Sequence, residues 1–276
     1  MEYFEHDGLR LAYRDVGSGL PVLCLPGLTR NSADFDDLAA GLACDVRLIL
    51  PDYRGRGASD YATDFMSYNV ATEAKDAVAL LDYLGVEKAL FVGTSRGGLI
   101  SMITAAIAKD RMLGAVLNDI GPVIDTGGME KIMAYVGLAP RIPTYDEAAQ
   151  AMVITTAEQF PGVPISRWRE CVERWFRQGP DGLELRYDPR LRDALLAQSE
   201  GPAPDLWPLF DALEGLPVGV IRGANSDLLT EATIEAMLER RPSMLVAKVP
   251  DRGHVPFLDE VESLDLIHAM IDRVSE

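Results

Sequence analysis

The chain has 276 residues, 48% of them hydrophobic, with 43 Asp and Glu against 26 Lys and Arg, a formal net charge of -17. That length and hydrophobic content suffice for one large core, alone or carrying an inserted subdomain, and exclude a disordered chain. The acidic balance repels nucleic acid and anionic membrane surfaces; no apolar stretch approaches the ~18 residues of a bilayer span and Met1 to His6 lacks a leader pattern, so a soluble, cytoplasmic protein is expected.

In chain order, Tyr3 to His6 and Leu9 to Arg14 flank Asp7-Gly8, a two-residue hairpin signal, so the sheet is expected to open antiparallel. Pro21 to Leu25 reads as a buried strand, Asp34 to Ala43 as a helix, and Val46 to Leu50 as the next strand. Asn69 to Leu84 is a long amphipathic helix ended near Gly85, followed by apolar strands at Ala89 to Val92 and Leu113 to Asn118. Helical connections between apolar strands predict a parallel sheet covered on both faces. From about Gly121 to Pro204 the rhythm changes. Helices are predicted at Met129 to Gly137, Glu147 to Gln159, Ser166 to Gln178 and Pro189 to Ser199, with no strand, as in an inserted helical cap. The doubly wound pattern resumes with a strand at Val218 to Arg222, a helix at Thr230 to Arg240, a strand at Leu245 to Val249 and a last helix from about Ser263. Cys24, Cys44 and Cys171 are widely spaced and odd in number, which indicates buried thiols rather than a disulfide framework or a thiolate metal site.

The chemistry centres on Gly93-Thr94-Ser95-Arg96-Gly97, set between an apolar strand and a helix rich in small residues. A serine at the apex of a sharp strand-to-helix turn projects its hydroxyl off the sheet edge, and glycines two positions to either side remove side chains that would collide. Gly97, Gly98 and Ser101 would let the helix lie close to the strands. A phosphate-binding helix start is disfavoured, because Gly-x-Gly-x-x-Gly spacing and a Gly-Lys-Thr are both absent.

A serine hydroxyl is a weak nucleophile at neutral pH and needs an imidazole to take its proton and an anion to hold that imidazole in the right tautomer. Of the three histidines, His6 lies in the first hairpin and His268 within the last helix, whereas His254 follows the last strand and so belongs at the same sheet edge as Ser95. Two aspartates follow strands suitably. Asp227, in the glycine-led loop Gly223 to Asp227, is preferred as the acid; Asp119, in Asn118-Asp119-Ile120-Gly121-Pro122, is the alternative and could equally brace the cap entrance or cap a turn.

Gly93-Thr94-Ser95-Arg96-Gly97, the order Ser95, Asp227, His254, the strand-end Leu25-Pro26-Gly27, and Pro51-Asp52-Tyr53-Arg54-Gly55-Arg56-Gly57, similar to an Asp-x-Arg-Gly-x-Gly loop, together make the chain resemble the α/β-hydrolase fold family in its capped branch over nearly its whole length. The resemblance implies a doubly wound, mostly parallel eight-stranded sheet, with residues 1–120 and 205–276 as the core and 121–204 as a helical cap. It also implies an oxyanion hole from the backbone N–H groups of Arg96 and Leu28. Here Pro26-Gly27 replaces the usual His-Gly start of that loop, and Thr29 is a second candidate for the other donor.

The implied activity is that of a cofactor-independent serine hydrolase, without metal, acting on a small carboxylic ester, lactone or amide, or on the carbon-carbon bond of a diketone. Serine at the elbow argues against the aspartate chemistry of dehalogenases and epoxide hydrolases. Arg30 and Arg96 adjoin the two amides and are candidates to pair with a substrate carboxylate. Trp168 and Trp175, with Tyr135, Met152, Phe160 and Phe176, supply apolar area to roof a pocket or to pack the cap itself. The expected partner is a small-molecule substrate, with the chain a monomer or a homodimer. Two other classes stay open: a ligand receptor or degenerate hydrolase using the same pocket, and a cofactor-free perhydrolase or haloperoxidase.

Overall fold

The computed structural model describes residues 1–42, 46–201 and 203–276. Strands β1 (Glu2–His6) and β2 (Leu9–Gly17) form the opening hairpin. Its turn residues Asp7 and Gly8 take φ of 53° and 74°, the left-handed pair that an Asp-Gly turn adopts at low cost. β3 (Leu20–Leu25) follows, then a 3-10 turn (Ser32–Phe35), α1 (Asp36–Gly41) and β4 (Val46–Pro51). The helix expected over Asp34 to Ala43 thus divides, because Asn31 caps a 3-10 start before the α-helix begins. Ala43 and Cys44 lie outside the described residues.

α2 (Val70–Tyr83) is capped by the Asn69 side chain, which accepts from the Thr72 N–H, and Gly85 ends it at φ 64°. Then come β5 (Ala89–Thr94), α3 (Arg96–Ala108) and β6 (Met112–Asn118). The next segment holds α4 (Thr126–Tyr135), α5 (Tyr145–Thr155), α6 (Ile165–Trp175), strands β7 (Phe176–Gly179) and β8 (Gly182–Leu185), and α7 (Leu191–Gln198). A five-residue α8 (Trp207–Asp211), β9 (Val218–Gly223), α9 (Glu231–Arg240), β10 (Leu245–Val249) and α10 (Val261–Ser275) complete the chain.

Eight strands form one sheet in the order β1-β2-β4-β3-β5-β6-β9-β10, with β2 antiparallel to both neighbours and every other pairing parallel. Alternate side chains serve opposite faces. Leu23, Leu25, Phe91, Leu117 and Val220 join the core under α2, α3 and α9. Val22, Cys24, Val92, Val116 and Ile221 join the core under α1 and α10. The chain steps from β3 outward to β4 and then returns across β3 to β5, so the carboxyl ends of β3 and β5 lead away in different directions. A crevice at such a reversal is where open α/β sheets hold ligands.

The absence of strands expected between Gly121 and Pro204 is corrected by the hairpin β7–β8, in which Phe176 pairs with Leu185 and Gly179 with Gly182. The helix expected to run to Gln178 stops at Trp175. Gly179-Pro180-Asp181-Gly182 is a turn sequence, and the residues before it leave the helix to pair across it. The segment builds two small cores of its own. One gathers Ala148, Ala149, Phe160, Trp168, Cys171, Val172 and Leu183, with Phe257 packed against it. The other joins Val136, Leu185, Tyr187 and Leu191 to Tyr68, with Leu28 packed alongside. Polar contacts fasten α6 to the stretch after β3 and to the loop after β10: Arg167 reaches Asp37 at 2.8 Å and Asp259 at 3.0 Å, and the Asn31 amide donates to the Arg174 carbonyl at 2.8 Å.

Close approach of α3 to the sheet depends on two glycines. A Cβ on Gly97 would lie 2.0 Å from the Leu25 carbonyl oxygen, whereas one on Gly98 would lie 2.2 Å from Cγ2 of Ile120, a side-chain methyl rather than main chain. A strand carbonyl is fixed by the sheet more firmly than a side-chain methyl is by its neighbours, and overpacking of this kind typically costs about 1–3 kcal/mol. G97A is therefore expected to lower the urea midpoint more than G98A. Equal or reversed midpoints would contradict this account of the packing.

Candidate active site

β5 delivers Thr94 to the sheet edge and the chain reverses at Ser95, whose φ of 50° and ψ of -111° place it outside the regions that ordinary residues favour. Two backbone bonds hold the turn: the Ser95 N–H donates to the Asn118 carbonyl at 2.9 Å, and the Gly98 N–H donates to the Ser95 carbonyl at 2.9 Å. The next strand is in register, with Thr94 opposite Asn118, so Ser95 and Asp119 leave neighbouring strands at one level. Asn118 is buried, and its amide donates to Thr94 Oγ1 and to the Pro256 carbonyl, both at 3.1 Å. It thereby fixes the loop after β10 beside the serine turn.

That loop carries His254. Its Nε2 stands 2.9 Å from Ser95 Oγ and its Nδ1 stands 2.8 Å from Asp119 Oδ2. An ionised carboxylate only accepts, so Nδ1 bears the proton and Nε2 is left to accept from the serine hydroxyl. Asp119 is fully buried, at φ 56°, a left-handed conformation that aspartate tolerates better than most residues. Its Oδ1 accepts from the Gly223 N–H at 2.8 Å and its Oδ2 from Ser226 Oγ at 2.5 Å as well as from His254. Both oxygens are thus held.

The expectation that Asp227 partners His254 is not met. Lys131 Nζ donates to Asp227 Oδ2 at 2.5 Å, and the carboxylate is part of an exposed ion pair. The loop after β9 turns through a Ser226 N–H to Gly223 carbonyl bond of 3.0 Å, which sends Ser226 inward to Asp119 and leaves Asp227 on the outer side. Asp119, the alternative acid, is the one placed against the imidazole. The signal was its position straight after β6, the strand next to β5. Ser226 and Asn118, which hold Asp119 and the His254 loop, carried no sequence signal of their own.

Leu28 lies in the loop after β3 and Arg96 begins α3, where a first-turn N–H has no helical acceptor. The Arg96 side chain is buried, and its Nε donates to Glu73 Oε2 at 2.6 Å, so it is held in the interior rather than offered to a substrate carboxylate. Arg30 lies with its guanidinium 3.5 Å from the centre of the Trp175 ring and with Nε 3.8 Å from Asp34. The Trp175 indole N–H donates to the same Asp34 at 3.0 Å. These three side chains tie the loop after β3 to α6. Trp168 is 2% exposed, edge-on to Phe160 and to Phe257 with ring centres 5.4 Å and 5.7 Å away. It packs against its aromatic neighbours instead of presenting a face to a ligand. Cys24 and Cys171 are buried thiols, and burial pushes both above the ordinary thiol range, Cys171 to about 11.

Among the described residues no group of three or more His, Cys, Asp or Glu side chains is placed to hold a metal ion, and no helix is long and apolar enough to cross a membrane.

The alpha/beta hydrolase family model matches residues 22–264. A 3-hydroxybutyrate-oligomer hydrolase of Cupriavidus necator is 39% identical over 92% of this chain and 90% of its own. A 2-(acetamidomethylene)succinate hydrolase of Mesorhizobium japonicum is 29% identical over 92% of this chain and 87% of its own. In structure, an alpha/beta hydrolase from Novosphingobium aromaticivorans matches with a TM-score of 0.91 at 40% identity, covering 99% of this chain and 97% of that one. With the serine turn, the mostly parallel sheet and these relatives in accord, the chain belongs to the alpha/beta hydrolase family and is an enzyme.

Proposed function

We propose that this enzyme is a serine hydrolase of short carboxylic esters, with Ser95 as nucleophile, His254 as general base and then acid, and Asp119 as the anion that holds the imidazole. The observation that carries the reading is the hydrogen-bonded series from Ser95 Oγ through the two ring nitrogens of His254 to the buried Asp119. In acylation, Ser95 Oγ bonds to the ester carbonyl carbon as its proton passes to Nε2. The carbonyl π pair moves onto oxygen, and the tetrahedral anion is met by the N–H groups of residues 28 and 96. Collapse of that anion breaks the bond to the alcohol oxygen, which leaves with the Nε2 proton. Water then repeats the sequence on the acyl-serine and returns the free acid. Asp119 stays ionised throughout and stabilises the imidazolium formed in each half.

Residues 121–204 act in this proposal as the cap over the site. The support is the packing of Phe160 and Trp168 against Phe257, three residues beyond His254, and the Arg30-Trp175-Asp34 contact beside the loop that bears Leu28. For the substrate, a 39% identical relative hydrolyses oligomers of 3-hydroxybutyrate, whose linkages are oxygen esters between short hydroxy acids. An ester of a short 3-hydroxy acid is accordingly the proposed substrate class.

Two measurements test the reading. On p-nitrophenyl acetate, S95A and H254A are expected to lose at least about 10,000-fold in kcat/KM, D119N to lose about 1,000- to 10,000-fold, and D227N to stay within about twofold of the parent. A D227N loss matching that of D119N would return the acid role to Asp227. Steady-state hydrolysis of the linear 3-hydroxybutyrate dimer and trimer, followed by release of free acid, is expected to exceed that of the matching amides and of a vinylogous diketone. Faster carbon-carbon cleavage would reject the ester assignment, and labelling of Ser95 by a fluorophosphonate without turnover on any substrate would make the protein a receptor.

A further inference from the structure

One buried carboxylate lies behind both proposed oxyanion donors. Glu73, in the first turn of α2, is fully buried between two arginines. Its Oε2 accepts from Arg96 Nε at 2.6 Å, and its Oε1 is 2.9 Å from Arg56 Nη1. Arg56, also fully buried, donates from Nε to the Leu28 carbonyl at 3.1 Å and from Nη1 to the Arg54 carbonyl at 2.7 Å. Arg96 Nη2 donates to the Tyr68 carbonyl at 3.3 Å. On the same loop as Arg56, the Tyr53 hydroxyl donates to the Pro26 carbonyl at 3.0 Å. Residues 26 and 28 are therefore held through their carbonyls, and residue 96 through its side chain, by one connected polar cluster.

We propose that Glu73 is a positioning residue for catalysis: through Arg56 on one side and Arg96 on the other, its single carboxylate sets the distance between the Leu28 and Arg96 amides. The inference rests on the serine-hydrolase reading above. The held Pro26 and Leu28 carbonyls fix the 26–27 and 28–29 peptide units on either side of the one that bears the Leu28 N–H, and the Arg56 side chain that holds the second is placed by Glu73. The same carboxylate takes Arg96, whose own N–H is the other donor. Oxyanion donors act only when they point at the place the anion will occupy, and preorganisation of this kind requires supports that do not move as charge develops. Burial opposes ionisation of Glu73, but attraction to Arg56 and Arg96 outweighs it and holds the carboxyl below its ordinary value. The cluster has one guanidinium more than its carboxylate neutralises, a sign that favours an anion nearby.

The test compares E73Q and R56K with the parent and S95A on p-nitrophenyl acetate, with active sites counted by end-point fluorophosphonate labelling. E73Q keeps the side-chain shape without the charge that gathers the two arginines. R56K keeps the charge but cannot bond Leu28 and Glu73 together, and it serves alone should E73Q not fold. Each is expected to lose about 10- to 100-fold in kcat per labelled site with KM within about threefold, part of the loss typical of a missing oxyanion donor. Affinity for a trifluoromethyl ketone, which forms a tetrahedral adduct with the serine, is expected to fall by a similar factor. A lowered melting temperature and fewer labelled sites, with kcat per site and inhibitor affinity unchanged, would mean that Glu73 supports only the fold and would overturn the inference. Turnover retained in S95A would instead remove the serine reading, and this inference with it.

Discussion

The carboxylate of Asp119 is fully buried yet hydrogen bonded through both oxygens, and the sheet edge is arranged around it. It receives the Gly223 N–H from the end of β9, the Ser226 hydroxyl from the loop beyond, and His254 from the loop after β10. A buried carboxylate with any of these donors missing would carry a large desolvation cost, so the loops after β9 and β10 are drawn to it together. The bond that orients the imidazole is one of the bonds that closes the edge of the fold. Structure and proposed chemistry share one set of contacts there.

Around this point the parallel sheet supplies level ground. Thr94 pairs with Asn118 and Asn118 with Ile221, so three adjacent strands end at comparable height and present Ser95, Asp119 and the Gly223 loop side by side. The strained turn at Ser95 survives because backbone bonds to Asn118 and within α3 hold it on both sides. On the other side of β5, the loop between β4 and α2 governs the segment after β3. Asp52 accepts from the Ser32 N–H at 2.7 Å, Tyr53 takes the Pro26 carbonyl and Arg56 the Leu28 carbonyl. The Asp-x-Arg-Gly-x-Gly resemblance thus has a physical content in this chain: its polar side chains bind backbone carbonyls and N–H groups of the neighbouring loop. Arg54, within it, is bidentate to Asp76 at 2.7 Å for both bonds and braces α2.

Residues 121–201 and 203–204 meet the rest of the chain through charge as much as through apolar contact. Arg167 and Arg174 on α6 face Asp36, Asp37 and Asp259, while Trp175 and Asn31 add directed bonds. Phe257 completes the aromatic cluster of Phe160 and Trp168 from the His254 loop. These aromatic residues are therefore mostly committed to packing. The Arg30 guanidinium, stacked on Trp175, joins the two parts at the loop that bears Leu28.

Local patterns carried much of this far. Apolar runs and Gly breaks are short-range signals, and they marked the strands of the large sheet, the long helices, the serine turn and His254, because each depends on residues close by in the chain. The Gly179-Pro180-Asp181-Gly182 turn was equally local, yet the helical pattern running into Gln178 masked the four-residue strands beside it. What tertiary structure alone decided was choice among equals. Asp119 and Asp227 each follow a strand, but only strand order places β6 next to β5, and only the turn of the Gly223 loop sends Ser226 inward and Asp227 out to Lys131. Likewise Glu73, Arg56 and Arg96 are far apart in sequence and look like ordinary charged residues until the fold buries them together, with Glu73 the shared partner of both arginines.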